Sequence, residues 1–233
     1  MKPVIDYTLY LVTDRDLMST ETLEQAVEAA CAGGVTLVQL REKHASRSEF
    51  VDLARRVKRV CDKHDIPLII NDEPEIAVEI GAAGVHVGQE DLEASCVREI
   101  VGPDAIVGVS AASVAEAQAA QRAGADYLGV GGVASTATKP EAGVLTIEEL
   151  REVVESVDIP VVAIGGVNAQ TIPGLFGMGL AGYPSSPPSS PPMISRRPAA
   201  NYAPSSTKAS GHERRLPHRL RRTRRGCAAG ETR

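Results

Sequence analysis

Residues 9–17 read LYLVTDRDL: a short β-rich apolar run, then charged residues and no glycine. A doubly wound dinucleotide-binding sheet sets a GxGxxG turn directly after its first strand, and none stands here. Working outward, the same kind of run recurs at Leu9–Thr13, Thr36–Leu40, Pro67–Ile70, Gly84–Val87, Ala105–Val109, Tyr127–Val130 and Pro160–Ile164, seven in all. Amphipathic stretches lie between them. Thr20–Ala32 opens on Ser19 or Thr20 ahead of Glu21 and Glu24, a capping pattern. Ser46–His64 sets Phe50, Leu53, Val57, Val60 and Cys61 on one face, and Ser113–Ala123 and Thr146–Ser156 each open with Ser or Thr. Gly33-Gly34, Gly81, Gly102 and Gly124 stand just before the next strand, where a left-handed helix cap is wanted. Strand–helix units of roughly 20–25 residues, with strands apolar on both faces, predict a parallel sheet covered by helices. An eighth unit due near residue 181 makes this α/β pattern a (β/α)8 TIM barrel.

The chain has 233 residues, 43% of them hydrophobic and 24% charged, and its net charge of −5 averages two kinds of sequence. Residues 181–233 hold eleven Lys+Arg against two Asp+Glu, and eight of the fifteen prolines. That leaves residues 1–180 with a net of −14, which argues against nucleic acid as a ligand of the body. YPSSPPSSPP and RRLPHRLRRTRR follow neither a helical nor a strand period. The expected division is therefore a barrel domain over 1–182, incomplete at its end, and a disordered basic tail over 183–233. Pro184, Pro187 and Pro188 cannot donate ladder hydrogen bonds, so YPSSPPSS is not expected to serve as a central strand. Strands one and seven would then be open edges. Four widely spaced cysteines exclude a disulfide scaffold and point to reduced thiols. No run reaches the ~20 apolar residues of a membrane span, and no signal peptide opens the chain, so a cytoplasmic location is expected.

A barrel of this kind works at the C-terminal ends of its strands. Gln39, Arg41, Glu42 and Lys43 follow strand two, Asn71 and Asp72 strand three, and His86, Gln89, Glu90 and Asp91 strand four. Ser110 ends strand five. Gly131-Gly132, Ser135, Thr136, Thr138 and Lys139 follow strand six, and Gly165-Gly166 strand seven. Arg supplies a planar fork of donors and Lys a compact charge, while glycine lets backbone N–H groups approach an anion, so this set suits a substrate with more than one phosphate. Asp72 and Asp91, at adjacent strand ends beside those cations, suit Mg²⁺, which prefers oxygen ligands and shares them with phosphates. Taken singly, QLREK reads as a surface salt-bridge cluster, Asn71-Asp72 as a helix cap, and His86 as a packed or hydrogen-bonded histidine. Their shared position at strand ends favours a site.

These segments resemble the thiamine-phosphate synthase family: LYLVTD (9–14), GGVTLVQLREK (33–43), INDEPEIA (70–77), GAAGVHVGQEDL (81–92), GVSAAS (108–113), GADYLGVGGVASTATKP (124–140) and VVAIGGV (161–167), in family order. The resemblance implies a barrel that joins a hydroxymethylpyrimidine diphosphate to a thiazole phosphate with Mg²⁺, releasing thiamine phosphate and pyrophosphate. Carried over by position, Gln39, Leu40, Arg41, Glu42, Lys43, Asn71, Ser110 and Lys139 would hold the pyrimidine diphosphate. Among them Arg41, Lys43, Ser110 and Lys139 would act on the reacting groups. Thr136, Ala137, Thr138 and Gly166 would contact the thiazole phosphate, and Asp72 and Asp91 would bind the metal. The expected partners are these small molecules, with no nucleic acid and no membrane; self-association is left open.

Departures from the family pattern are Glu73, Glu75, Ala112 and Ala134, where it commonly has Arg, Asp, His and Phe. After Gly182 the family continues with an apolar strand eight, and this chain reads GYPSSPPSSPP. The change has the look of a reading-frame shift in the coding sequence, or of a grafted tail. Competing readings are a thiazole tautomerase on the same barrel, a non-catalytic remnant that binds phosphate ligands, and a nucleic-acid or membrane arm in the basic tail. Intact QLREK, Asp72, Asp91 and Lys139 favour the synthase.

Overall fold

The computed structural model describes residues 1–15, 20–131, 145–164 and 172–185. Eight parallel strands form one sheet: β1 (Leu9–Val12), β2 (Leu37–Leu40), β3 (Leu68–Asn71), β4 (Gly84–Val87), β5 (Ile106–Ala111), β6 (Tyr127–Gly131), β7 (Val161–Ile164) and β8 (Tyr183–Ser185). Each expected run from one to seven is a strand to within two residues. Between them stand α1 (Leu23–Ala32), α2 (Arg47–Lys63), α3 (Pro74–Ile80), α4 (Ala94–Val101), α5 (Val114–Arg122), α6 (Ile147–Glu155) and α7 (Ile172–Leu175).

Helix starts follow side-chain chemistry. Ser46 and Glu49 form a reciprocal capping box at α2, Thr146 and Glu149 do so at α6, and Ser113 caps α5. The start of α1 differs from expectation. Thr22 is the cap, boxed with Gln25, while the Thr20 hydroxyl donates to the Thr22 carbonyl and so lies outside the helix. At the end of α3, Gly81 takes the left-handed conformation, φ 66°, which a side chain would strain.

Two apolar layers hold the barrel. The outer one packs outward-facing strand residues such as Val38, Leu40, Ile70, Val85 and Val109 against helix residues such as Val27, Phe50, Leu53, Val57, Ile76 and Leu150. The inner one is built by strands and the amino-terminal segment: Tyr7, Tyr10, Leu37, Ile69, Ile106, Tyr127 and Val162. Period-two alternation sorts them, Leu37 and Gln39 inward and Val38 and Leu40 outward. Inward positions also carry small residues. A Cβ on Gly108 would lie 2.2 Å from the Tyr127 ring, so glycine there makes room for the tyrosine.

The expectation of two open edges is corrected. β8 runs parallel to β1 with Leu9 beside Tyr183, Tyr10 beside Pro184 and Leu11 beside Ser185, and Gly182 bridges Val162 of β7. Ala181 N–H donates to the Val161 carbonyl at 2.8 Å, and Tyr183 N–H to the Thr8 carbonyl at 3.3 Å. N–H groups alternate sides along a strand. With Tyr183 donating to β1, the position that Pro184 leaves without a donor faces the β7 side, so one proline does not break the β1 ladder. Closure needs only these few residues. A compact unit spans Met1–Pro192. Residues 186–233, where the rest of the expected disordered tail falls, lie outside the described residues.

Cys31 and Cys61 are free and buried. Cys227 lies outside the described residues. Among the described residues no helix is long and apolar enough to cross a membrane.

Candidate active site

The C-terminal strand ends bring most of the expected residues together. Gln39 ends β2 on the inward side, 3% exposed, and its Nε2 donates to Tyr10 Oη at 2.9 Å. Leu40 points the other way: its side chain is fully buried in the outer layer, so it can offer a ligand only its backbone. The chain then turns at Arg41, whose N–H donates to Thr13 Oγ1 at 2.9 Å while that hydroxyl donates back to the Arg41 carbonyl. Thr13, buried beside it, thus pins the start of the cationic loop to β1. The Glu42 carboxylate pairs with Arg15 and accepts from the His44 N–H, a structural use rather than a contact offered to an anion. Arg41 and Lys43 line an open cleft of about 680 Å³ between the loops after β1 and β2 and helix α2.

Asn71 ends β3 in register with His86, half-buried. Asp72 follows with φ 63°, a left-handed conformation uncommon for a residue with a side chain, held by its N–H donating to the His86 carbonyl at 2.8 Å. That turn sets the Asp72 carboxyl where the Asp91 carboxyl bears on it electrostatically. Burial first, then the neighbouring Asp91 carboxyl, raises the Asp72 pKa from its ordinary 3.8 to about 6, with Lys43 and Arg41 pulling it down. Asp91 is itself oriented by the Gly88 N–H, which donates to Oδ2 at 2.7 Å. Two carboxyls and two cations from three strand ends therefore share one electrostatic environment.

Ser110, the next-to-last residue of β5, is half-buried, its Oγ 2.9 Å from His86 Nε2 and its carbonyl accepting from Gln89 Nε2 at 2.5 Å. His86 is 3% exposed and hydrogen-bonded at both ring nitrogens, so the reading of a packed histidine is borne out. Tyr10, Tyr127 and Thr13 join the site from beneath, and sequence reasoning passed over them. The signal was present: inward-facing tyrosines on strands of a chain that is only 3% aromatic. Thr136, Ala137, Thr138, Lys139 and Gly166 lie outside the described residues.

Fold and site define a class: a (β/α)8 barrel whose mouth sets paired carboxyls beside cations. Comparison with known proteins narrows it. A family model described as thiamine monophosphate synthase matches residues 9–184, and the chain belongs to that family. It is 57% identical over 182 residues to a thiamine-phosphate synthase of Clostridium beijerinckii, covering 78% of this chain and 87% of that one. With a thiamine-phosphate synthase of Ruminiclostridium cellulolyticum it is 58% identical over the same length and coverage. Among solved structures, the thiamine phosphate pyrophosphorylase of Pyrococcus furiosus superposes with a TM-score of 0.70 at 35% identity, over 78% of this chain and 86% of that one. Membership makes the chain a transferase of thiamine biosynthesis.

Proposed function

We propose that this chain makes thiamine phosphate at the barrel mouth, by joining a hydroxymethylpyrimidine diphosphate to a thiazole phosphate. The observation that carries the reading is the pairing of Asp72 with Asp91 beside Arg41 and Lys43. Anionic diphosphate and a divalent cation together relieve both halves of that arrangement: the cation separates the like-charged carboxyls, and the phosphates answer the basic side chains.

The donor set fits Mg²⁺. Two carboxyls offer oxygen donors alone. That suits an ion that takes its other oxygens from phosphate and water. Asp72 and Asp91 would hold it, and when bound it would neutralise charge on the departing diphosphate.

The bond from the pyrimidine methylene carbon to the diphosphate oxygen breaks, and its electron pair leaves with pyrophosphate. The aminopyrimidine ring delocalises the carbon cation, and the thiazole nitrogen lone pair closes the new C–N bond. No protein nucleophile is required. Arg41 and Lys43 bind the diphosphate and stabilise its growing charge, Ser110 and Asn71 orient it, and Gln39 faces the pyrimidine from the barrel interior. Lys139 adds a further cation, and Thr136, Thr138 and Gly166 supply donors for the thiazole phosphate.

Calorimetric titration of each substrate tests the assignment. The pyrimidine diphosphate should bind only with Mg²⁺ present, and Asp72→Ala or Asp91→Ala should abolish that dependence while thiazole phosphate binding stays intact. Equal binding with and without Mg²⁺ in the unaltered chain would contradict it.

A further inference from the structure

Beneath the mouth a line of polar groups crosses the otherwise apolar barrel interior. Gln39 Nε2 lies 2.9 Å from Tyr10 Oη, Tyr10 Oη 2.7 Å from Tyr127 Oη, Tyr127 Oη 2.9 Å from His86 Nδ1, and His86 Nε2 2.9 Å from Ser110 Oγ. Tyr10 and Tyr127 are fully buried. We infer that this line is directed, every proton pointing from Gln39 toward Ser110, so that His86, Tyr127 and Tyr10 are positioning residues that leave the Ser110 hydroxyl proton free for an anionic oxygen at the mouth. The link to turnover rests on the reading of Ser110 as a ligand contact.

Direction follows from counting protons. The amide nitrogen of Gln39 can only donate, so Tyr10 Oη accepts there. The Tyr10 hydroxyl proton then has Tyr127 Oη as its acceptor. Tyr127 in turn gives its own proton to His86 Nδ1, which must carry none. A neutral imidazole therefore has its proton on Nε2 and donates it to Ser110 Oγ. With that oxygen accepting from within, the serine proton turns outward. Reversing the line would make Tyr10 Oη accept twice and strand its proton in a fully buried site, at the cost of an unmade buried hydrogen bond. The ring has little freedom to turn: it packs against Tyr127 with centroids 5.4 Å apart, and a Cβ on Gly129 would fall 2.9 Å from its Cε1.

Nitrogen NMR of the full chain labelled at histidine reads the direction without any substrate, with the His86 signals assigned by their loss in His86→Gln. The inference expects a pyrrole-type Nε2 and a pyridine-type Nδ1 at neutral pH. Tyr127→Phe removes the donor to Nδ1 and should shift the ring toward the Nδ1–H tautomer. It should also lower kcat about tenfold, the size of one misdirected charge-assisted hydrogen bond, with KM for the thiazole phosphate unchanged. Ser110→Ala, at the half-exposed end, keeps the direction measurable if Tyr127→Phe folds poorly; it should retain the Nε2–H tautomer, because the proton order is set from the buried end. An Nδ1–H or doubly protonated His86 in the unaltered chain, or a tautomer that switches in Ser110→Ala, overturns the inference. A tautomer that shifts in Tyr127→Phe with kcat unchanged supports the direction and instead counts against Ser110 as a ligand contact.

Discussion

Asp72 concentrates the chemistry of the site in one residue. Its folded pKa of about 6 lies above the ordinary 3.8, so the folded chain holds a proton through an interval in which the unfolded chain has released it. Its contribution to stability is therefore full below 3.8 and lost as the pH rises through about 6. In ion-free protein at neutral pH the charged carboxyl opposes folding, and Asp72→Asn should raise the melting temperature there, with the gain shrinking as the pH falls below about 6. Mg²⁺ competes with the same proton. Its apparent affinity, measured by calorimetry, should fall up to about tenfold per pH unit below the Asp72 pKa, and a flat profile would separate Asp72 from the metal. Arg41 makes the complementary case. Arg41→Ala should weaken pyrimidine diphosphate binding by roughly 1.5–3 kcal/mol, the worth of a charged hydrogen bond, and thiazole phosphate binding far less. Equal losses for the two ligands would mean that the substrates are placed the wrong way round.

At the scale of elements, β8 is where sequence and structure part. Its three residues include Pro184, yet Gly182 and Tyr183 close the barrel between β7 and β1. A Cβ on Gly182 would lie 1.7 Å from the Tyr7 carbonyl oxygen, so the approach of β8 to the amino-terminal segment depends on that glycine. Gly182→Ala should cost about 1–3 kcal/mol or more, read as a fall of about 2–4 °C in melting temperature per kcal/mol. An unchanged melt would show that closure there contributes nothing. Strands one to seven were legible because each is an apolar run between helix caps and glycines, local signals that the fold does not override. Asp72 and Asp91 were legible because both follow strand ends. Their electrostatic coupling was not, since it depends on the positive φ of Asp72 and on the Gly88 N–H that orients Asp91, which only the folded backbone reveals. The polar line through Tyr10, Tyr127 and His86 was hidden for a similar reason, because its members come from three strands far apart in sequence. The β8 strand escaped because proline was weighed against a whole strand, whereas three residues suffice and alternate positions need no donor toward β1.

For the whole molecule, closure removes the ground for reading the chain as an unfinished, non-catalytic barrel. The family match ends at residue 184, the last buried hydrophobic side chain among the described residues is Met178, and the compact unit ends at Pro192. A chain ending at Pro192 should therefore melt as cooperatively as the full chain, at the same temperature and with the same turnover; a lower melting temperature would give residues 193–233 a part in stability. The central claim is that this barrel joins two phosphorylated precursors, and one measurement addresses it most directly. Purified full-length protein is incubated with the pyrimidine diphosphate and the thiazole phosphate, with Mg²⁺ or with a chelator, and thiamine phosphate and pyrophosphate are quantified together. The account predicts equal amounts of both products with Mg²⁺ and neither with chelator or in Asp72→Ala. Absence of thiamine phosphate with Mg²⁺, or pyrophosphate released without it, would contradict the account.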